Sequence, residues 1–175
     1  MSCDANDFRS GMRRLAAGVT VITTCLEGQL TGMTATAVCS LSASPPRLLA
    51  CVNLRGATYR FASASRRMAV NVLALHQEQV ARDFSSADKC LDKLFADADW
   101  RDADGLPVLG NAAAVFECLV EQMLVMDTHA VLIGSVARVH VPDAAAPLLY
   151  VDGAYAAPVA PSFISTNDRV IRRTA

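Results

Sequence analysis

The chain has 175 residues, of which 53% are hydrophobic and 19% charged, with a net charge of -1. That size and composition predict one folded domain and exclude a disordered chain. The near-zero charge excludes a broad electrostatic surface for nucleic acid or an anionic membrane, and no apolar run has the length of a spanning helix.

The start, Met1-Ser2-Cys3-Asp4-Ala5-Asn6-Asp7, is polar and acidic. It lacks the basic start and apolar core of a secretory leader, so a cytoplasmic location is expected. Residues 7–17 read as a helix, with Phe8, Met12 and Leu15 at helical spacing and Gly18 as its stop. Residues 19–25 are β-branched almost throughout and read as a strand. A turn at Glu27-Gly28-Gln29 leads into a second strand over residues 30–41, rich in Thr, Ala and Gly, which Ser44-Pro45-Pro46 ends. Residues 48–53 are apolar on both faces and read as a fully buried strand.

Residues 58–65 read as a short helix, 68–73 as a strand and 77–84 as a helix. Residues 85–104 read as polar and irregular and hold the one tryptophan, Trp100. Residues 115–126 and 131–141 read as two long strands joined at Asp127-Thr128, and Asp152-Gly153 marks a last hairpin. About six or seven strands joined mostly by short turns, with three short helices, predict a mainly β chain with flanking helices, an antiparallel barrel rather than a doubly wound sheet.

Cys3, Cys25, Cys39, Cys51, Cys90 and Cys118 form no C-x-x-C pair, and no histidine stands at zinc spacing from them, so no metal site is expected. Cys25, Cys39, Cys51 and Cys118 lie in apolar strand-like runs and read as reduced core residues. Arg169, Arg172 and Arg173 read as a solvated tail.

The glycine-rich and nucleophile motifs of common nucleotide and hydrolase sites are missing, so any cofactor is held another way. Four segments are candidates. Thr34-Ala35-Thr36-Ala37 has little bulk, which lets a flat ligand approach the backbone and receive hydrogen bonds from its N–H groups and hydroxyls. Its plain alternative is a Thr/Ala strand packed on a helix. Asn53-Leu54-Arg55-Gly56-Ala57-Thr58 runs from a strand into a helix start, where N–H groups attract phosphate, with Thr58 as a simple helix cap the alternative. Phe84, Ser85 and Lys89 can cover a ring and bond a phosphate, or be a core ring beside surface groups. His129 stands at the junction of two long strands, where it can meet a nicotinamide or carry a proton, or be a surface histidine.

Taken in order, several runs resemble the flavin reductase-like family, whose fold is the FMN-binding split barrel. They include Gly18-Val19-Thr20-Val21-Ile22-Thr23-Thr24, Gly32-Met33-Thr34-Ala35-Thr36-Ala37-Val38-Cys39-Ser40-Leu41-Ser42, Cys51-Val52-Asn53, Val70-Asn71-Val72-Leu73, Phe84-Ser85, Thr128-His129 and Ile133-Gly134. The resemblance implies an NAD(P)H-dependent reductase that passes reduced FMN or FAD to a separate oxygenase. It also implies a homodimer with the flavin near the subunit interface. Thr34, Ala35, Thr36 and Ala37 would then approach the isoalloxazine. Asn53, Thr58, Ser85 and Lys89 would serve the ribityl chain and phosphate, with Arg55 compensating for missing hydroxyls, and His129 would meet the nicotinamide.

The family often has glycine where this chain has Asp127, and a serine-rich phosphate turn where it has Arg55-Gly56-Ala57-Thr58. Residues 1–157 are assigned to the domain; 158–175, a C-terminal tail, match nothing. Two other readings stay open: a flavin- or haem-binding protein on the same barrel without turnover, and a flavin-dependent reductase of another acceptor such as a corrinoid.

Overall fold

The computed structural model describes residues 3–97, 99–142 and 145–159. Residues 160–175 of the expected tail, its three arginines included, lie outside the described residues.

Helix α1 (Ala5–Met12) opens at Asp4, whose carboxylate accepts from the backbone N–H groups of Asn6 and Asp7. It is shorter than the expected 7–17 and buries none of its residues; Phe8 and Leu15 are 61% and 62% exposed. Helical spacing of apolar residues did not mean a core-facing stripe here. The chain is already in strand β1 (Ala17–Gly18) where the helix was expected to end.

Seven strands make one antiparallel sheet. In chain order they are β2 (Thr20–Leu26), β3 (Gln29–Ala35), β4 (Val38–Ala43), β5 (Pro46–Asn53), β6 (Arg67–Val72), β9 (Ala114–Met126) and β10 (His129–His140). Their order across the sheet is β3-β2-β6-β9-β10-β5-β4. The expected single strand over 30–41 is thus two, broken at Thr36-Ala37, and its halves lie on opposite edges of the sheet. Three residue steps from Ala35 to Val38 span at most about 11 Å. The sheet therefore curls until its edges meet at this turn. The result is a barrel joined by the chain at one end of its seam and split along the rest.

Ile22, Leu48, Ala50, Val52, Met68, Val70, Cys118, Val120, Ala130 and Leu132 fill the barrel. Helix α2 (Ala57–Ser65) adds Ala62 to this interior. Gly134 is needed on β10, because a Cβ there would lie 2.8 Å from the Met68 methyl and 2.9 Å from the Cys118 Cβ.

A second core covers the outer face of β2. It joins Val19, Val21, Leu73, Leu109 and Val115 to Ala81 and Phe84 of helix α3 (Glu78–Ser85). The strand buried on both faces is accordingly β2; β5 alternates buried and half-buried residues, contrary to its reading as buried throughout. Its pairing with β4 and β10 leaves the outward Leu49 and Cys51 only partly covered. Within this second core Asn71 donates to the Val21 carbonyl and the Thr23 hydroxyl and accepts from the Leu109 N–H, tying three strands together.

The stretch expected to be irregular, 85–104, contains helix α4 (Leu91–Asp97) and strand β7 (Trp100–Ala103), which pairs with β8 (Leu106–Leu109). Order comes from aromatic packing: the Phe84, Phe95 and Trp100 ring centroids are 5.0 to 5.4 Å apart. Strands β11 (Leu149–Val151) and β12 (Ala154–Ala156) form the expected hairpin, with Asp152 and Gly153 at φ 52° and 83°, and β11 pairs with β1. The described residues thus hold twelve strands and four α-helices, more of each than expected.

All six cysteines are free, but only Cys118 is buried; Cys25 and Cys51 are half-buried and Cys39 is exposed on the edge strand β4. Reading all four as core residues was too broad, because a two-period strand turns alternate residues away from the core.

Candidate functional site

The candidate site grows from the seam of the barrel. At the β3–β4 turn the Ala35 carbonyl accepts from the Thr20 hydroxyl (2.7 Å), and the Ala37 carbonyl accepts from the Cys51 N–H (2.9 Å). The N–H groups of Thr36 and Ala37 have no acceptor among the described residues, and neither does the Thr36 hydroxyl. Polar backbone groups without a partner persist where water or a ligand reaches them. Thr36 and Ala37 are both exposed, so this turn presents donors outward.

Thr34 is different. Its hydroxyl donates to the Ala81 carbonyl of α3 at 2.6 Å, which spends its one proton within the protein. The Ser85 hydroxyl likewise donates to the Arg82 carbonyl at 2.7 Å. Both retain lone pairs, so they can accept from a ligand. Thr34, Ala35, Thr36 and Ser85 line one cavity of about 240 Å³ with Val19, Tyr150 and Tyr155.

Asn53 ends β5 two residues beyond Cys51, about 7 Å further along the strand from the Ala37 contact. Its side-chain oxygen accepts from the Arg55 N–H (2.9 Å), and its carbonyl accepts from the Gly56 N–H (3.1 Å). This Asx turn leads into α2. The Asn53 amide nitrogen has no acceptor among the described residues, so a further donor stands at the same end of the sheet.

His129 opens β10 directly opposite Asn53. Its Nδ1 lies 2.8 Å from the Thr128 hydroxyl, which leaves Nε2 of this exposed ring open. The preceding Asp127 takes φ 46°, the left-handed conformation for which glycine is usual and which Asp tolerates. The Thr128 carbonyl accepts from the Leu54 N–H at 3.0 Å and locks the two turns together.

The other sequence candidates sit further back. Thr58 is buried as the second residue of α2, whose cap is Gly56, so the simple-cap alternative for Thr58 does not hold. Arg55 is exposed and makes no side-chain hydrogen bond among the described residues. Phe84 is 1% exposed in the aromatic cluster, so its ring is a core ring here and does not face the cavity. Its edge leaves room only for glycine at position 32, where a Cβ would lie 2.9 Å from Phe84 Cε1. The Lys89 ammonium donates to the Phe84 and Ser86 carbonyls, both at 3.2 Å, closing the end of α3, and burial lowers its pKa. Ala57 and Leu91 line one cavity of about 660 Å³, which puts the Arg55–Thr58 turn and the Lys89 cap on the same side of the molecule.

Tyr150 and Tyr155 were not singled out in the sequence. A signal existed. The Asp152-Gly153 turn fixes the register of β11 and β12, and that register places the two tyrosines directly opposite each other.

The sequence pattern of the flavin reductase like domain matches residues 12–158, most of the chain and all of the seam described above. The chain belongs to this family. Among its flavin-reductase relatives, the FMN reductase (NADH) RutF of Variovorax paradoxus is 39% identical over 150 residues, covering 85% of this chain and 83% of the relative. The 4-hydroxyphenylacetate 3-monooxygenase reductase component of Pseudomonas aeruginosa is 37% identical over 145 residues, covering 82% of this chain and 85% of that one. Among solved structures, a Streptomyces globisporus NADH:FAD oxidoreductase in complex with NAD and FAD fragments superposes with a TM-score of 0.83 at 28% identity, covering 93% of this chain and 99% of that chain. The mostly antiparallel sheet with flanking helices is that of the family's split-barrel structures.

Proposed function

We propose that this flavin reductase-like chain oxidises NADH, or NADPH, and reduces FMN or FAD, which then serves a separate oxygenase. The observation that carries the reading is the row of unpartnered donors at the barrel seam. The Thr36 and Ala37 N–H groups, the Thr36 hydroxyl and the Asn53 amide suit the carbonyl- and nitrogen-rich edge of an isoalloxazine. Bound flavin supplies the hydride-accepting chemistry. The chain supplies orientation: Thr34 and Ser85 accept from the ligand, while Thr36 and Ala37 donate to the edge on which negative charge develops.

Arg55, Thr58 and Lys89 are assigned to the ribityl–phosphate end, with Arg55 offering the open cation. Phe84 acts from behind, by fixing Gly32 and α3. His129 is assigned to the nicotinamide through its open Nε2. It orients the ring first and handles a proton second, since hydride transfer itself requires no acid or base.

A homodimer is part of the same proposal. Leu119, Leu124, Val125, Met126 and Val139 on β9 and β10, together with Leu41 on β4, are each about half exposed or more. Leu124 and Met126 share one face of β9, opposite Val131 and His129 of β10, and exposed apolar groups on a sheet face are often covered by another chain. A cytoplasmic setting is also proposed, since six free cysteines suit a reducing compartment. Among the described residues no helix is long and apolar enough to cross a membrane.

The test is NADH oxidation at 340 nm with and without added FMN, FAD or riboflavin. Flavin-dependent turnover supports the reading. Tight flavin binding without turnover with either nicotinamide nucleotide would favour a binding protein on the same barrel. Turnover only with another acceptor, such as a corrinoid, would favour the third reading.

A further inference from the structure

The last hairpin carries two cavity-lining aromatic residues that the proposed function leaves without a role. Tyr150 and Tyr155 face each other across β11 and β12, with ring centroids 5.4 Å apart and planes at 67°. The Arg82 guanidinium lies 4.9 Å from the Tyr155 ring centroid. Arg82 is itself held by Glu78 one helical turn earlier on α3. The hairpin is anchored a second time by the Asp152 N–H donating to the Arg13 carbonyl (2.7 Å) and by pairing of Tyr150 with Ala17. Tyr155 is thus a ring held by two neighbours, with a cation over one face and a second ring packed at a steep angle.

Both tyrosines line the 240 Å³ cavity whose other walls are Val19, Thr34, Ala35, Thr36 and Ser85. The lining thus combines polar residues of little bulk with two aromatic rings, one of them braced by Arg82. That pairing suits a flat, extended π-system with a polar edge, and suits a saturated or highly charged ligand poorly. Burial holds the Tyr155 phenol above the usual tyrosine range, more strongly than Arg82 pulls it down, so the hydroxyl stays neutral at working pH and can both donate and accept.

Resting on the flavin reading above, we propose that Tyr155, braced by Arg82 and Tyr150, is the aromatic wall that positions the isoalloxazine against Thr34–Thr36. Its role is in binding and orientation. The ring adds contact area, and the brace removes the rotamer freedom that a lone surface tyrosine would lose on binding. Arg82 acts through Tyr155 and is a positioning residue.

The experiment is titration of the full chain with FMN and FAD, followed by the quenching of flavin emission, on wild type, Tyr155→Leu, Tyr155→Phe and Arg82→Met. Expected results are a loss of affinity of about tenfold for Tyr155→Leu and rescue to near wild type by Tyr155→Phe. Flavin bound to Tyr155→Phe should also emit more brightly than flavin bound to wild type, because phenylalanine is a far poorer electron donor to the excited ring. Arg82→Met should weaken binding less than Tyr155→Leu and leave the emission of bound flavin quenched. Thermal unfolding separates a folding defect from a site defect. If Tyr155→Leu misfolds, the emission of the Tyr155→Phe complex decides. Affinity unchanged in Tyr155→Leu, or emission unchanged in Tyr155→Phe, overturns the proposal while leaving the flavin reading intact. Failure of the wild type to bind any flavin overturns the flavin reading itself.

Discussion

His129 stands directly opposite Asn53 in the β5–β10 ladder, and the Leu54 N–H donates to the carbonyl of Thr128 beside it. A histidine assigned to the nicotinamide and an asparagine assigned to the flavin are thereby held in one register by main-chain bonds. Replacing His129 with Ala removes an exposed side chain without disturbing that ladder. Flavin reduction by NADH should slow about tenfold, with flavin affinity nearly unchanged. Stopped-flow absorbance of the flavin measures both, and an unchanged rate would remove His129 from the reaction.

Asn53 does two jobs that a single substitution can separate. Asp at this position keeps the oxygen that accepts from the Arg55 N–H but loses the amide donor and adds a negative charge. Asn53→Asp should therefore fold as well as wild type and bind flavin at least about tenfold more weakly. Equal affinity would place the Asn53 amide outside the site.

Thr34 and Thr36 look equivalent in the sequence and are not equivalent in the structure. The Thr34 hydroxyl is bonded to the Ala81 carbonyl, whereas the Thr36 hydroxyl has no partner among the described residues. Thr34→Val should cost about 1 kcal/mol of stability, read from a denaturant midpoint. Thr36→Val should leave stability alone and lower flavin affinity about fivefold.

Gly32 is a packing requirement. An added Cβ would lie 2.9 Å from Phe84 Cε1 and 3.1 Å from the Ile22 carbonyl. Backbone on one side and a ring locked among Phe95 and Trp100 on the other leave little room to yield. Gly32→Ala should destabilise by about 1–3 kcal/mol and change Trp100 emission in the folded protein. Stability equal to wild type would show that Phe84 can move.

Cys118 predicts an alkaline limit to stability. Burial, and to a lesser degree Glu117, push its thiol up to about 12 from a reference value of 9.0. Between those values the unfolded chain has lost the thiol proton and the native chain keeps it. Native stability therefore falls as pH rises above 9, by up to about 1.4 kcal/mol per unit. Denaturant melts at intervals between about pH 9 and pH 11 should show this slope, and Cys118→Ala should flatten it.

Much of this chain follows from short-range rules. The β-branched run before Cys25, the Asp152-Gly153 hairpin and the two long strands around Asp127-Thr128 were legible, because they rest on side-chain period and turn chemistry. The Thr34–Ala37 segment was legible as a stretch of little bulk, and its Thr36 and Ala37 are exposed in the structure.

What the sequence could not show was where those strands meet. Only the closed curl of the sheet makes Thr36-Ala37 a seam joining opposite edges, and only that seam leaves its N–H groups without partners. The order within 85–104 depends on Phe84, Phe95 and Trp100 packing together, a contact between elements that local polarity conceals. Phe84 was open to either a ligand-covering or a core role until α3 turned it into the core, and Tyr155, which the sequence did not mark, lines the cavity beside Arg82 through the hairpin register. Local sequence determined which elements form and what chemistry each can offer. Tertiary packing decided which of those groups are spent inside the protein and which remain open, because burial and hydrogen-bond satisfaction depend on neighbours distant in the chain.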